Sequence, residues 1–151
     1  MRYKQRFFVC QLDFEAGADG AAASSATTTS DIFNALRVSV SEAFGDAGLG
    51  RMTLSLAVKY YSPVTRLCVI RGPLSCAAEL HASIALVKAC RRAPAALRTL
   101  QVCGSVRVLR ESLRLHHAAV ASALRSHLAR DDLELDDAFF ATLEGELADA
   151  A

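Results

Sequence analysis

Val58-Lys59-Tyr60-Tyr61-Ser62-Pro63-Val64-Thr65-Arg66-Leu67-Cys68-Val69-Ile70-Arg71 is the stretch on which the fold turns. Upstream of and into it, residues 51–61 alternate. Met52, Leu54, Leu56, Val58 and Tyr60 take one side, and Thr53, Ser55, Ala57, Lys59 and Tyr61 the other. That is the period of a half-buried strand at a sheet edge. Ser62-Pro63-Val64-Thr65 is turn-like, because proline fixes its own φ. Residues 65–71 form a short apolar strand, so the two runs make a hairpin.

Before the hairpin, residues 3–12 read as a strand rich in aromatic and β-branched residues. Phe7 and Val9 point one way and Phe8 and Cys10 the other, so both faces are apolar, as in a central strand. Residues 16–29 are an Ala/Ser/Thr/Gly run with no side chain large enough to offset ordering entropy, which predicts a flexible insertion. Ser30 or Asp31 is then placed to cap a helix. Ile32, Leu36, Val40 and Phe44 recur at i+4 as its apolar stripe, and Gly45, Gly48 and Gly50 end it.

After the hairpin, Gly72-Pro73 opens a second helix, with Leu80, Ile84 and Val87 buried and Lys88, Arg91 and Arg92 complementing its C-terminal dipole. Residues 97–108 read as a fourth strand interrupted at Gly104. A third helix follows from Leu109 to Ala129, and Asp136–Leu147 reads as a short acidic helix with Phe139, Phe140, Leu143 and Leu147 on one side. The order β-α-β-β-α-β, then α-α, predicts an α+β fold: a ferredoxin-like antiparallel sheet with C-terminal helices over its second face. Residues 1–130 would form this one domain, the residues 16–29 being a flexible insertion in it, and 131–151 an acidic tail. The helix stripes leave Phe33, Leu49, Tyr61 and Leu86 on outer positions, where they suit a protein partner.

The chain has 151 residues, and its 52% hydrophobic content is inflated by 28 alanines. No apolar run reaches the length of a membrane span, and the run behind the basic N-terminus is too short for a signal peptide. The net charge of +1 conceals segregation. Residues 1–130 carry all 17 Lys and Arg against 8 acids, a net +9, whereas 131–151 carry 8 acids and no base. A basic body of this kind suits a polyanion, and its acidic tail should be drawn to it.

Chemistry of the chain's own is hard to find. Cys10, Cys68, Cys76, Cys90 and Cys103 are widely spaced, with no metal-ligand pairing, and read as reduced core thiols. His81, His116, His117 and His127 read as helix-surface histidines, the adjacent pair pointing about 100° apart. No nucleophile elbow, phosphate loop or zinc-protease signature occurs. The expectation is therefore no catalytic residue, no metal site and no cofactor. Base stacking is also disfavoured, because the third strand lacks an aromatic. The informative cations are Arg2, Lys4 and Arg6, which alternate onto one face; Lys59, Arg66 and Arg71 along the hairpin; and Arg107, Arg110 and Arg114 at the junction of the fourth strand and third helix. Phosphate recognition needs cations spread in this way.

Three segments resemble a known family. Arg2-Tyr3-Lys4-Gln5-Arg6-Phe7-Phe8-Val9-Cys10 is similar to the opening strand of the Pop-five type protein subunit of ribonuclease P and ribonuclease MRP. Residues 58–71 resemble that family's central hairpin, and Leu100-Gln101-Val102-Cys103-Gly104-Ser105-Val106-Arg107 its Gly-Gly-Thr-Ile-Arg segment. Arg66 stands where the family has a hairpin glycine. Cys103 replaces the first glycine of the pair, leaving Gly104 to supply any positive φ. The resemblance implies a protein that braces a magnesium-binding catalytic RNA and assists removal of the 5′ leader from precursor tRNA, with ribosomal RNA precursors as substrates of the MRP relative. It also implies a TIM-barrel-like partner of the Rpp-thirty type, and residence in the nucleus and nucleolus. The alternative of another class is an ACT-like small-molecule-binding regulatory domain, which shares the βαββαβ order.

Overall fold

In the computed structural model, residues 4–15 and 18–124 are described. The strands are β1 (Gln5–Phe14), β2 (Ala57–Tyr61), β3 (Leu67–Pro73), β4 (Ala89–Cys90) and β5 (Ala93–Cys103). The helices are α1 (Ala18–Ala26), α2 (Thr29–Thr53), α3 (Ala77–Ala85) and α4 (Val106–Leu124). All strand pairs are antiparallel, in the order β2-β3-β1-β5-β4. β1 and β3 thus lie inside the sheet and β2 at its edge, as their apolar patterns required.

The sheet is buried on both faces. Phe8, Cys10 and Leu12 of β1, with Cys68 and Ile70 of β3, pack against Ile32, Leu36 and Val40 of α2 and Leu80 and Ile84 of α3. Phe7 and Val9 turn the other way and join Val69 and Cys103 beneath Val106, Leu109 and Leu113 of α4. All five cysteines are buried free thiols.

Several local readings give way to tertiary contacts. The run at 16–29 contains α1 instead of a loop. Alanine favours helix, and neighbours hold the element in place: the Tyr61 hydroxyl donates to the Ser24 carbonyl (3.1 Å) and Arg91 Nη1 to that of Ala26 (2.6 Å). The cap of α2 is Thr28, in a reciprocal capping box with Asp31, and not Ser30 or Asp31 itself. Gly45 ends the first helical run of α2, as expected: its φ of 65° and ψ of −171° are not helical and cost glycine little, and a second run follows as far as Thr53. The alternation at 51–56 is therefore not strand. Met52 is buried on the helix and Leu54 is 92% exposed at its C-cap.

The second helix also starts later and stops earlier than its pattern. Pro73 closes β3, a 3-10 turn spans Leu74–Cys76, and α3 ends at Ala85. Lys88, Arg91 and Arg92 belong to the β4–β5 hairpin, where Arg91 and Arg92 take φ of 51° and 64°. The fourth strand begins at Ala93 and closes at Cys103, and α4 starts three residues before Leu109. Gly104 needs no positive φ; among the described glycines only Gly45 has one. Of the residues expected on outer positions, Leu86 is exposed, but Phe33, Leu49 and Tyr61 pack partly against the core. The acidic helix expected at 136–147 lies outside the described residues.

Candidate nucleic-acid interface

The register of the sheet sorts the cations. Phe7 pairs with Arg71 on one side and Cys103 on the other, so the start of β1, the end of β3 and the end of β5 share one end of the sheet. α4 begins there, with the Ser105 hydroxyl accepting from the Val108 amide (3.4 Å). Lys4, Arg6, Arg71, Arg107 and Arg110 are consequently brought to a single end of the molecule.

Each is positioned differently. Lys4 is exposed, and its carbonyl accepts from the Leu74 amide (2.9 Å), which tethers the strand entrance. Arg6 is half-buried and donates from Nη1 to the Gln5 carbonyl (3.1 Å). Gly104 lies against this arginine: a Cβ there would sit 3.3 Å from Arg6 Nη1, a contact that a shift of the flexible guanidinium by a few tenths of an ångström would relieve, and its backbone angle is not one reserved for glycine. Arg71 is half-buried and donates from Nε to the Ser55 carbonyl (3.3 Å), which fixes its guanidinium beside the α2–β2 connection. Arg107, Arg110 and Arg114 follow at i, i+3 and i+7 along one side of α4, the first and last exposed.

Of the remaining expected residues, Lys59 stays near this end, two positions along β2 from the Ala57 that pairs with Arg71, and Arg66 lies apart. Arg66 closes the β2–β3 turn five residues from Arg71, about 17 Å along an extended strand. Its φ is 58°, held by its amide donating to Ser62 O (2.7 Å) and its carbonyl accepting from the Leu12 amide (2.9 Å). The left-handed conformation is retained although the side chain is not glycine. Lys59 sits at the register shift between Val58 and Tyr60 in β2. Arg2 lies outside the described residues. At the sheet end opposite the cluster, Arg98 donates to Gln11 Oε1 (2.7 Å) and lies 3.9 Å from Asp13 Oδ2, so acid and base mix there.

The third helix holds a residue that its surface pattern hides. His117 is 5% exposed, so it is not a surface histidine. Its Nε2 lies 3.3 Å from the Tyr60 hydroxyl, the rings edge-on at 6.0 Å. Burial, assisted by the neighbouring His116, pushes its pKa below the ordinary value of 6.5. Ser112 adds a second link from α4 to the sheet by donating to Gln101 Oε1 (2.7 Å). The signal for His117 was its spacing from Leu109 and Leu113, which continues the buried stripe at i+8 and i+4.

Burial raises the thiol pKa of Cys90 to about 11 and also raises that of Cys103. These groups are protonated at neutral pH and poor nucleophiles. Among the described residues no three His, Cys, Asp or Glu side chains gather as metal ligands, and no helix is long and apolar enough to cross a membrane.

Sheet, covering helices and cation-bearing end define a small α+β protein with a surface suited to a polyanion. The model of the Rpp14/Pop5 family matches residues 6–114, so the chain belongs to that family. It is similar to the probable ribonuclease P/MRP protein subunit POP5 of Arabidopsis thaliana, 28% identical over 112 residues, which cover 73% of this chain and 74% of the relative. It is also similar to the ribonuclease P/MRP protein subunit POP5 of Schizosaccharomyces pombe, 32% identical over 83 residues, covering 55% and 60% of the two chains. A chain in the cryo-EM structure of yeast ribonuclease MRP shares the fold with a TM-score of 0.64 at 14% identity, over 99% of this chain and 92% of that one. The ACT-like alternative is not favoured.

Proposed function

We propose that this chain is a Pop5-type protein subunit of the ribonuclease P and ribonuclease MRP ribonucleoproteins. It braces the catalytic RNA and assists 5′-leader removal from precursor tRNA and the processing of ribosomal RNA precursors. The observation that carries the reading is the family match over residues 6–114. That span includes Arg6, Arg71, Arg107, Arg110 and Arg114, so the matched body is also the body that carries the cation-rich end. On this reading the secondary-structure order is a ferredoxin-like βαββαβ plan, with β5 as its fourth strand, enlarged by α1, the short strand β4 and α4. Residues 1–130 act as the RNA-binding domain, with 131–151 as its acidic tail.

Chemistry belongs to the RNA, which binds the magnesium; the chain contributes cations and shape. Guanidinium groups at the start of β1 and along α4 contact phosphates and fix orientation without reading bases. A TIM-barrel-like subunit of the Rpp-thirty type is the protein partner we expect, and the nucleus and nucleolus the location.

The test is reconstitution. The isolated chain with magnesium should leave precursor tRNA intact, and 5′-leader removal should require the RNA subunit. In the folded double variant Arg107→Ala, Arg110→Ala, RNA affinity should fall and its dependence on log salt should flatten, by about one unit of slope or less per lost contact. Unchanged affinity and slope would move the RNA surface elsewhere. Cleavage by the chain alone after nuclease treatment would overturn the non-catalytic role.

A further inference from the structure

We propose that the two arginine-bearing turns at the far end of the sheet form a second phosphate-binding surface, so that the chain bridges two stretches of RNA. The proposal rests on the reading of the chain as an RNA-binding subunit. Its starting point is backbone conformation. Among the described residues, three that are not glycine have a positive φ, and all three are arginines: Arg66 (58°), Arg91 (51°) and Arg92 (64°). A side chain is disfavoured there because its Cβ crowds the following carbonyl oxygen, and such positions usually go to glycine, asparagine or aspartate. Arg91 and Arg92 are the central pair of the β4–β5 turn, in which Cys90 pairs with Ala93. Asn-Gly is the favoured pair in such a turn. Local folding therefore asks for arginine at none of the three positions, and a conformation retained against preference points to a use outside the fold.

The three share one end of the sheet. The Arg66 carbonyl accepts from the Leu12 amide, and Phe14 of the same strand pairs with Ala95. Both turns also lean on α1. Tyr61, beside the β2–β3 turn, donates to the Ser24 carbonyl, and Arg91 donates to that of Ala26. Arg91 is committed to this anchorage, with Asp31 Oδ2 3.7 Å from its Nη1, and Arg98 is matched by Asp13. Arg92 and Lys88 are exposed, and among the described residues their side chains make no hydrogen bond or ion pair. With the half-buried Arg66 they set three cations against the exposed Glu15, whose amide donates to the Pro94 carbonyl.

The chemistry favours phosphate over protein. Neither turn exposes a large apolar side chain. Protein interfaces are built around apolar and aromatic anchors, whereas phosphates are met by cations and other hydrogen-bond donors. The surface is also remote from Arg6 and Arg107. From Ala93 to Cys103 is ten steps of extended strand, about 33 Å. Neighbouring phosphates cannot meet both ends, and the sheet sets the spacing of the two stretches it holds.

The test uses the full-length chain and a transcript of ribonuclease MRP RNA, with binding measured over a range of salt and the complex footprinted by hydroxyl radicals. The double variant Arg66→Gly, Arg92→Gly should unfold at a midpoint no lower than the unmodified chain, because glycine adopts a positive φ without strain. It should bind RNA on the order of tenfold more weakly at low salt and lose up to about two units of log–log salt slope, about one or less per contact. Arg66→Lys, Arg92→Lys keeps the charge in the same turns and should keep the slope. The footprint lost with the glycine variant should differ from that lost with Arg107→Ala, Arg110→Ala. Unchanged affinity and slope in the folded glycine variant, beside weakened binding by Arg107→Ala, Arg110→Ala, overturn the second surface and leave the first. A loss shared in full by the lysine variant overturns the contact through charge, and one footprint lost by both pairs overturns the bridging. Unchanged RNA binding with loss of a co-eluting protein subunit gives the turns to an acidic protein surface and overturns the phosphate reading. No RNA bound by the unmodified chain refutes the RNA-binding role itself.

Discussion

The two faces of the sheet are held in unequal ways. On one, α2 and α3 seal a broad layer of side chains from all three long strands, built on Phe8, Leu12, Ile32, Leu36, Ile70 and Leu80. On the other, among the described residues, α4 alone rests on Phe7, Val9, Val69 and Cys103 through Val106, Leu109 and Leu113, supplemented by polar links from Ser112 and His117. The broad layer sets global stability; the narrow one positions the helix that carries Arg107, Arg110 and Arg114. A thin layer can open without unfolding the rest, so the expected outcome is that the cation-bearing helix opens before the broad layer does.

The largest effect should come from the broad layer. Phe8 is 1% exposed and central in β1. Phe8→Ala should cost about 3–5 kcal/mol, measured by denaturant unfolding, with a single transition for the whole body. A loss below about 1 kcal/mol would mean that the broad layer is not the foundation we take it to be.

Leu113→Ala should cost less, about 2–3 kcal/mol, and its signature should be local. Amide exchange should accelerate along α4 while α2 and β3 keep their protection. Uniform acceleration would show that the two layers unfold as one and would remove the distinction.

The smallest effect concerns pH. A histidine whose folded pKa lies below its unfolded value leaves stability unaffected above about pH 6.5 and lowers it as pH falls through and below that value, because the unfolded chain binds the proton first. α4 should therefore loosen as pH falls below about 6.5, read as faster amide exchange in the helix. His117→Gln should weaken the pH dependence. Equal slopes in the two proteins would mean that His117 is not the group that titrates.

Sequence and structure part company at particular residues. The two-sided apolar pattern of Phe7, Phe8, Val9 and Cys10 required burial from both sides, and each side chain goes to the face its parity assigns. The alternation at 51–61 was real from Ala57 onward but accidental before it, because Met52 and Leu56 also satisfy a helix and its exit turn. The alanines at 16–29 were a local signal for helix, but what holds that helix in place, Tyr61 and Arg91, lies 37 and 65 residues from the carbonyls they reach. Gly104 was visible as a glycine, but its neighbour, the guanidinium of Arg6 from the far end of the chain, was not.

By itself the sequence determined the class of element in most segments, the pairing of the central hairpin, the segregation of charge, and the residue types able to meet phosphate. Those are properties of local period and composition. Only the tertiary structure decided that Lys4, Arg6, Arg71, Arg107 and Arg110 share one end while Arg66 lies at the other, that His117 is covered, and that Val108 and Leu115 of α4 stay exposed. These depend on register and on which helix covers which strand, and both are fixed by contacts between residues far apart in the chain, where burial outweighs local preference.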